Sequence, residues 1–158
     1  MKHRLAYVVV FALLTVATPS LVRSQGDPRA GNWKLNVAKS KYTPGPPPAS
    51  ETRTYEIQDH AMKVSIESID AKGNHVSLHY TAGDDGKDYP LAGLSIADAI
   101  AVKRVDAHTF DMDTKKSGKI IGTSHVKISS DGKVLTLTTT TAGAHGELIQ
   151  NVAVFDKQ

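Results

Sequence analysis

The sequence predicts an all-β domain, an antiparallel up-and-down meander of about nine or ten strands that closes into a barrel. The first observation is that apolar and polar side chains alternate, for example in residues 62–66 and 76–80. A period of two places one set of side chains on each face of a half-buried sheet. The same pattern recurs at 110–112, 126–128 and 135–141. Leu94–Ala101 is a short helical candidate, and we expect a turn there that leads into a strand.

Turn signals separate these stretches, and they are the second observation. The turns are Asp70–Asn74, Asp84–Lys87, Lys116–Lys119 and Ser130–Lys133. Asp-Gly and Ser-Gly pairs supply the positive φ that tight hairpins require, and connections this short make neighbouring strands antiparallel. A sheet of so many strands tends to close or to split. We therefore expect a barrel, with a two-sheet β-sandwich as the alternative.

The N-terminus has the pattern of a secretory signal peptide. Basic residues at positions 2 and 4 precede an apolar run, Leu5–Ala17, and small residues follow near Ser24. The run is shorter than the roughly 20 residues of a membrane span. We expect residues 1–24 to be removed and residues 25–158 to form a single β-barrel domain, secreted or periplasmic, with no stable membrane insertion.

Charge and cysteine content exclude several classes of protein. Lys2, Arg4 and Arg23 are three of the 19 basic residues, so residues 25–158 carry 16 basic and 16 acidic side chains. A domain without net positive charge is a poor candidate for nucleic-acid binding, because phosphate contacts supply most of that affinity. The chain has no cysteine, so its core alone must hold the domain together.

Several segments carry a resemblance to a known family. Gly31–Leu35, GNWKL, resembles the Gly-x-Trp entrance of the calycins, which are the lipocalins and fatty-acid-binding proteins. The turn Ser130–Lys133, the stretch Val134–Thr141 and the closing Val152–Lys157 are similar to the last two strands of a fatty-acid-binding barrel. Together with DGKDYP at 85–90, these segments also resemble a set of small secreted bacterial proteins. The resemblance implies that Trp33 lies on the first strand as a structural plug at the closed end of the barrel.

Two departures from the fatty-acid-binding pattern accompany the resemblance. The helical lid that follows the first strand in that family is replaced by a segment with four prolines, Pro44–Pro48, which bar a helix interior. We expect a loop folded over a barrel end. The last strand of the family carries an Arg-x-Tyr pair that holds the ligand carboxylate, and the matching residues here are Ala153 and Phe155.

The candidate ligand-binding residues are Arg53, Tyr55, Tyr80 and Arg104. Each arginine lies on the same face of its strand as neighbouring apolar residues, because it is separated from them by an even number of positions. Both arginines are therefore expected to point to the lumen or its rim. An arginine could grip a carboxylate or phosphate. The alternative is structural, because a long side chain near a strand end can extend to water.

Catalytic and metal-binding patterns are missing from the sequence. There is no cysteine nucleophile, Gly-x-Ser-x-Gly elbow, phosphate loop or dinucleotide motif. His75 and His79 lie about 13 Å apart on one strand face, too far to share a zinc ion. We expect no cofactor and no metal.

The sequence thus favours an exported binding protein for a small apolar or amphipathic molecule. The alternatives are a cavity-free interaction or structural module of the cell envelope and, with less support, a calycin-like enzyme.

Overall fold

The computed structural model describes residues 26–143 and 145–158, so the expected signal peptide, residues 1–24, lies outside the described part. The strands are β1 (Gly31–Leu35), β2 (Ser50–Gln58), β3 (Ala61–Ile69), β4 (His75–Ala82), β5 (Asp85–Ala92), β6 (Ala99–Arg104), β7 (Thr109–Lys116), β8 (Lys119–Ile128), β9 (Val134–Ala142) and β10 (Leu148–Lys157). A single 3-10 turn, Val37–Lys39, follows β1. Within the described residues, no helix has the length and apolarity needed to cross a membrane.

The strands form one closed antiparallel barrel. Each strand pairs with its neighbour in sequence, and β1 pairs with β2 on one side and with β10 on the other. The predicted meander and its closure are confirmed. The sandwich alternative is wrong, because β1 and β10 bond to each other and leave no open edge.

Because strand direction alternates, the connections gather at two ends of the barrel. We call one the cap end; it carries residues 26–30 and the turns at 58–61, 82–85, 104–109 and 128–134. We call the other the proline end. It carries the loop 36–49 and the turns at 69–75, 92–99, 116–119 and 142–148.

The proline-containing loop is an extended segment laid along β10. The amide of Asn36 donates to the carbonyl of Val154 at 2.7 Å, and Lys41 forms a β-bridge with Val152. Tyr42 then packs against the hydrophobic core. The segment therefore runs along β10 beyond the end of β1, and its position over a barrel end stays a prediction.

The alternation of apolar and polar side chains along the strands places the apolar ones in the core. The largest fully buried side chains are Trp33, Phe110, Phe155, Ile128, Leu135 and Val64. They come from β1, β3, β7, β8, β9 and β10, so apolar residues from around the barrel meet in its centre. This core supplies the burial that a chain without disulfides needs.

Two sequence predictions concern the segments around β5. The expected turn at Asp84–Lys87 is wrong in its bounds, because β5 already begins at Asp85. Gly86 has φ of +76° and lies where the register between β5 and β6 shifts, so its left-handed backbone forms an irregularity inside a strand. The prediction for Leu94–Ala101 is confirmed, since β6 begins at Ala99 after a loop.

Candidate ligand site

Strand β2 brings polar side chains into the barrel. Glu51, Arg53 and Tyr55 share one face of the strand, and Tyr55 is 5% exposed. The Arg53 Nε donates to Glu51 Oε1 at 2.7 Å, and its Nη2 lies 2.6 Å from the same oxygen. Only 11% of each of these two charged side chains is exposed. The strand therefore places an ion pair inside the barrel.

Two tyrosines extend this polar group across the sheet. Tyr55 on β2 and Tyr80 on β4 both pair with Val64 on β3, so the three side chains form one row. Burial, and next the neighbouring Tyr55, raise the pKa of Tyr80 above its ordinary value. Its hydroxyl consequently stays protonated at neutral pH. We call Glu51, Arg53, Tyr55 and Tyr80 the Arg53 cluster.

The charge of Arg53 is already compensated. Burial alone would lower the pKa of Arg53, but the carboxylate of Glu51 and then Tyr55 raise it above its ordinary value. An incoming carboxylate would compete with Glu51 for the same guanidinium. The expected grip of Arg53 on an anion is therefore opposed by a carboxylate of the protein itself.

Arg53 also contacts the last strand. Its guanidinium carbon lies 4.7 Å from the centre of the Phe155 ring, a cation–π distance. Phe155 holds a last-strand position that the calycin resemblance assigns to the carboxylate-binding pair. Strands β2 and β10 flank β1 on opposite sides. The guanidinium beside Phe155 therefore comes from Arg53 on β2 and not from a residue of β10.

Arg104 is not brought into the Arg53 cluster. It lies at the cap end, where it forms ion pairs with Asp27 and with Asp84, the latter at 2.8 Å. Arg29 binds the same two carboxylates with distances of 2.8 Å. The guanidinium carbons of Arg29 and Arg104 lie 3.8 and 4.5 Å from the centre of the Phe110 ring. We call Asp27, Arg29, Asp84 and Arg104 the cap network.

The cap network holds a short chain segment over Trp33. The indole Nε1 of Trp33 donates to the carbonyl of Arg29 at 2.7 Å, and the side chain is fully buried. The Nζ of Lys157 lies 5.0 Å from the centre of the indole ring. Trp33 thus lies under a lid formed by residues 27–30.

The lumen between the cap network and the tyrosine row is almost filled. A cavity of about 10 Å³ remains there, lined by Arg29, Tyr55, Met62, Val64, Tyr80, Ala82, Val102, Phe110, Met112 and Val126. A space of this size is at the lower limit for a single water molecule. In this conformation the apolar part of the barrel is packed with side chains.

The lumen becomes polar towards the proline end. Ser124, Thr139 and Asn151 form one row across β8, β9 and β10, next to the buried row that includes Val126 and Leu137. The hydroxyl oxygens of Ser124 and Thr139 are 2.9 Å apart, and all three side chains are only partly buried. This row of the barrel wall is therefore less completely buried than the neighbouring row of Val126 and Leu137.

Sequence reasoning missed four participants in these clusters, which are Glu51, Asp27, Arg29 and Asp84, and it assigned Asp84 only to a turn. Glu51 shares its parity with Arg53 and could have been found from that spacing. Asp27 and Arg29 precede the first strand, where no periodicity assigns an orientation. Tyr42 of the proline loop packs against the core, and burial and then the charge of Glu51 raise the pKa of its hydroxyl. In the described residues, no group of three His, Asp or Glu side chains is placed to hold a metal ion.

Comparison with known proteins supports the fold. No protein-family model and no curated protein sequence matches the chain. Among solved structures, it is similar to zebrafish ileal bile acid-binding protein, crystallised in complex with cholic acid. The match has a TM-score of 0.53 and 13% identity, and covers 83% of this chain and 99% of the other. The chain therefore has a ten-stranded, calycin-like β-barrel fold of the kind found in that protein.

Proposed function

We propose that the chain is an exported binding protein for a small apolar or amphipathic molecule, whose polar group lies against the Arg53 cluster. Export is supported by the N-terminal sequence, with its basic residues, short apolar run and small residues near Ser24. Ligand binding is supported by the barrel fold and by the polar group inside it.

The buried pair of Arg53 and Glu51 is the observation that carries this proposal. Taking two charges out of water is costly, and apolar side chains of similar volume often stabilise a core at least as well. A barrel that serves only as a packed scaffold gains little from such a pair beside two tyrosines. A ligand with a polar head group would form hydrogen bonds with these buried side chains, which explains why they are polar.

The head group that suits this site is uncharged. Glu51 neutralises Arg53, so a carboxylate would meet one cation and one anion, whereas a hydroxyl can donate to Glu51 and accept from Arg53. Entry is from the proline end, where Ser124, Thr139 and Asn151 leave the lumen partly accessible. Because the cavity is about 10 Å³, the ligand must displace side chains, and Tyr42, which the proline loop packs against the core, is a candidate to move.

Calorimetric titration with matched probes tests the proposal. We expect saturable binding of 1-decanol, weaker binding of decanoate, and measurable binding of cholate, the ligand of the similar structure. The double variant Glu51→Gln/Arg53→Met removes both charges together and should weaken decanol binding by about 1.5–3 kcal/mol, the contribution of a hydrogen bond to a charged group. Arg104→Met, at the cap end, should bind as the wild type does.

A cavity-free interaction module of the cell envelope is the second candidate. The observation in its favour is the filled lumen, with about 10 Å³ of space. If none of the three probes binds the folded protein, ligand binding is contradicted and this candidate takes its place.

A further inference from the structure

Exposed apolar side chains are concentrated at one end of the barrel. In the described residues, the large exposed ones at the proline end are Val37, Ile69, Ile96, Ile120 and Leu148, and those at the cap end are Ile57 and Val105. The most exposed are Leu148 at 79% and Ile96 at 68%. Five of these seven side chains share one end of the barrel, so that end is the candidate interaction surface.

Three of these side chains project from neighbouring connections. Ile96 lies in the loop between β5 and β6, Ile120 is the second residue of β8, and Leu148 is the first residue of β10. Strands β5 to β10 follow one another around the barrel, so the three connections lie along one arc of its rim. We call Ile96, Ile120 and Leu148 the apolar rim.

The two ends of the barrel also differ in charge, and the proline end is the more basic one. The connections at the proline end, with their flanking residues, carry five lysines and three acids: Lys39, Lys41, Lys72, Lys116, Lys119, Asp70, Asp98 and Glu147. The turns at the cap end carry five acids and two bases: Asp59, Asp84, Asp85, Asp106, Asp131, Arg104 and Lys133. The apolar rim is therefore at the more basic end of a domain that has no net charge.

We propose that the proline end docks on a lipid bilayer that contains anionic lipids, with the apolar rim inserted among the head groups. The rim residues are on the tips of separate connections, and a fluid bilayer accepts each side chain individually. A protein interface instead requires a continuous, closely packed core. Lysines near such side chains are attracted to an anionic surface.

This proposal is independent of the ligand site, since it requires only the outer surface of the proline end. If the proposed function also holds, docking turns the proposed entry end of the lumen towards the membrane. An amphipathic molecule could then pass between bilayer and barrel without crossing bulk water.

Vesicle flotation tests the docking surface. The barrel, residues 25–158, is mixed with phosphatidylcholine vesicles, with or without phosphatidylglycerol. The rim variant is Ile96→Thr/Ile120→Thr/Leu148→Thr. The matched control, Ile57→Thr/Val105→Thr, alters cap-end side chains that are 57% and 54% exposed. All these positions are exposed, and unchanged melting temperatures verify that both variants fold.

We expect the wild type and the cap-end control to float with phosphatidylglycerol vesicles, and the rim variant to lose at least about tenfold in partitioning. High salt should weaken wild-type binding, because surface charges are screened. The proposal is overturned if the wild type does not float, if it floats equally without phosphatidylglycerol, or if both variants lose the same amount. Concentration-dependent self-association that the rim substitutions abolish would also overturn it and assign the surface to a second copy of the chain.

Discussion

Arg53 and Glu51 are two positions apart on strand β2 and form an ion pair of 2.6 Å inside the barrel. Both charges are largely shielded from bulk water, since only 11% of each side chain is exposed. Each charge therefore depends on the other for its stability in the interior. Removing either side chain alone therefore leaves an uncompensated charge in the barrel.

Arg53→Met should destabilise the protein strongly. Removing one partner leaves the other charge buried and uncompensated, which typically costs about 3–5 kcal/mol. The double variant Glu51→Gln/Arg53→Met should recover a large part of this loss. Urea unfolding of the two single variants and the double variant measures the coupling. Additive effects in this cycle would show that the two side chains do not interact.

Glu51→Gln should change ligand preference. Arg53 then keeps a charge without a carboxylate partner, so decanoate can replace the missing carboxylate. We expect decanoate affinity to rise by at least about tenfold, or 1.4 kcal/mol, while decanol affinity stays within a factor of a few. Calorimetry on the variant, with Glu56→Gln on the exposed side of the same strand as control, checks the change. A variant that still prefers decanol as the wild type does would place the head group elsewhere.

Trp33→Ala should remove much of the stability of the fold. The indole is fully buried and donates a hydrogen bond to the carbonyl of Arg29. Truncating a buried tryptophan costs about 3–5 kcal/mol, a large fraction of the stability of a single domain. Thermal and urea unfolding measure the loss. A melting temperature close to that of the wild type would show that Trp33 is dispensable to the core.

Acid should weaken the cap network. Burial alone would raise the pKa of Asp27, but hydrogen bonds and charge from Arg29, with a further bond from Arg104, lower it from 3.8 to about 2. A carboxylate whose pKa is lower in the folded protein than in the unfolded chain stabilises the fold at pH values above the unfolded pKa. This contribution is lost as the pH falls towards the folded pKa. We expect Asp27 to contribute about 1–2 kcal/mol at pH 5, lost between about pH 4.5 and 2.

The Asp27→Asn variant isolates this contribution. Other carboxylates also titrate in acid, so the relevant quantity is the difference in unfolding free energy between wild type and variant, measured at pH 5.5 and at pH 2. The difference should be large at pH 5.5 and small at pH 2. An equal difference at both pH values would show that the charge of Asp27 has no part in holding the cap.

The strands could be predicted because a half-buried sheet imposes a period of two on each of them. Val64, Tyr80 and Val126 all lie inside, as their alternation indicates. The same parity places Arg53 and Tyr55 inside. The bounds of β5 were harder, since Gly86 has the positive φ of a turn but lies at an irregularity within a strand.

The partners of the arginines and the space in the lumen could not be predicted in this way. Asp27 and Arg29 come before the first strand, and Asp84 lies in a connection, where no period constrains a side chain. The residual cavity depends on how Phe110, Met112 and Tyr80 interdigitate. That depends on side-chain rotamers in three dimensions and leaves no pattern in the sequence.

Native mass spectrometry of the protein purified from its own host tests whether the barrel holds a ligand. We expect an additional small mass that stays with the folded chain and is released on unfolding. This mass should be lost from the Glu51→Gln/Arg53→Met variant but kept by Arg104→Met. A wild-type protein that carries only its own mass, and that binds none of the three probes when titrated, would contradict ligand binding.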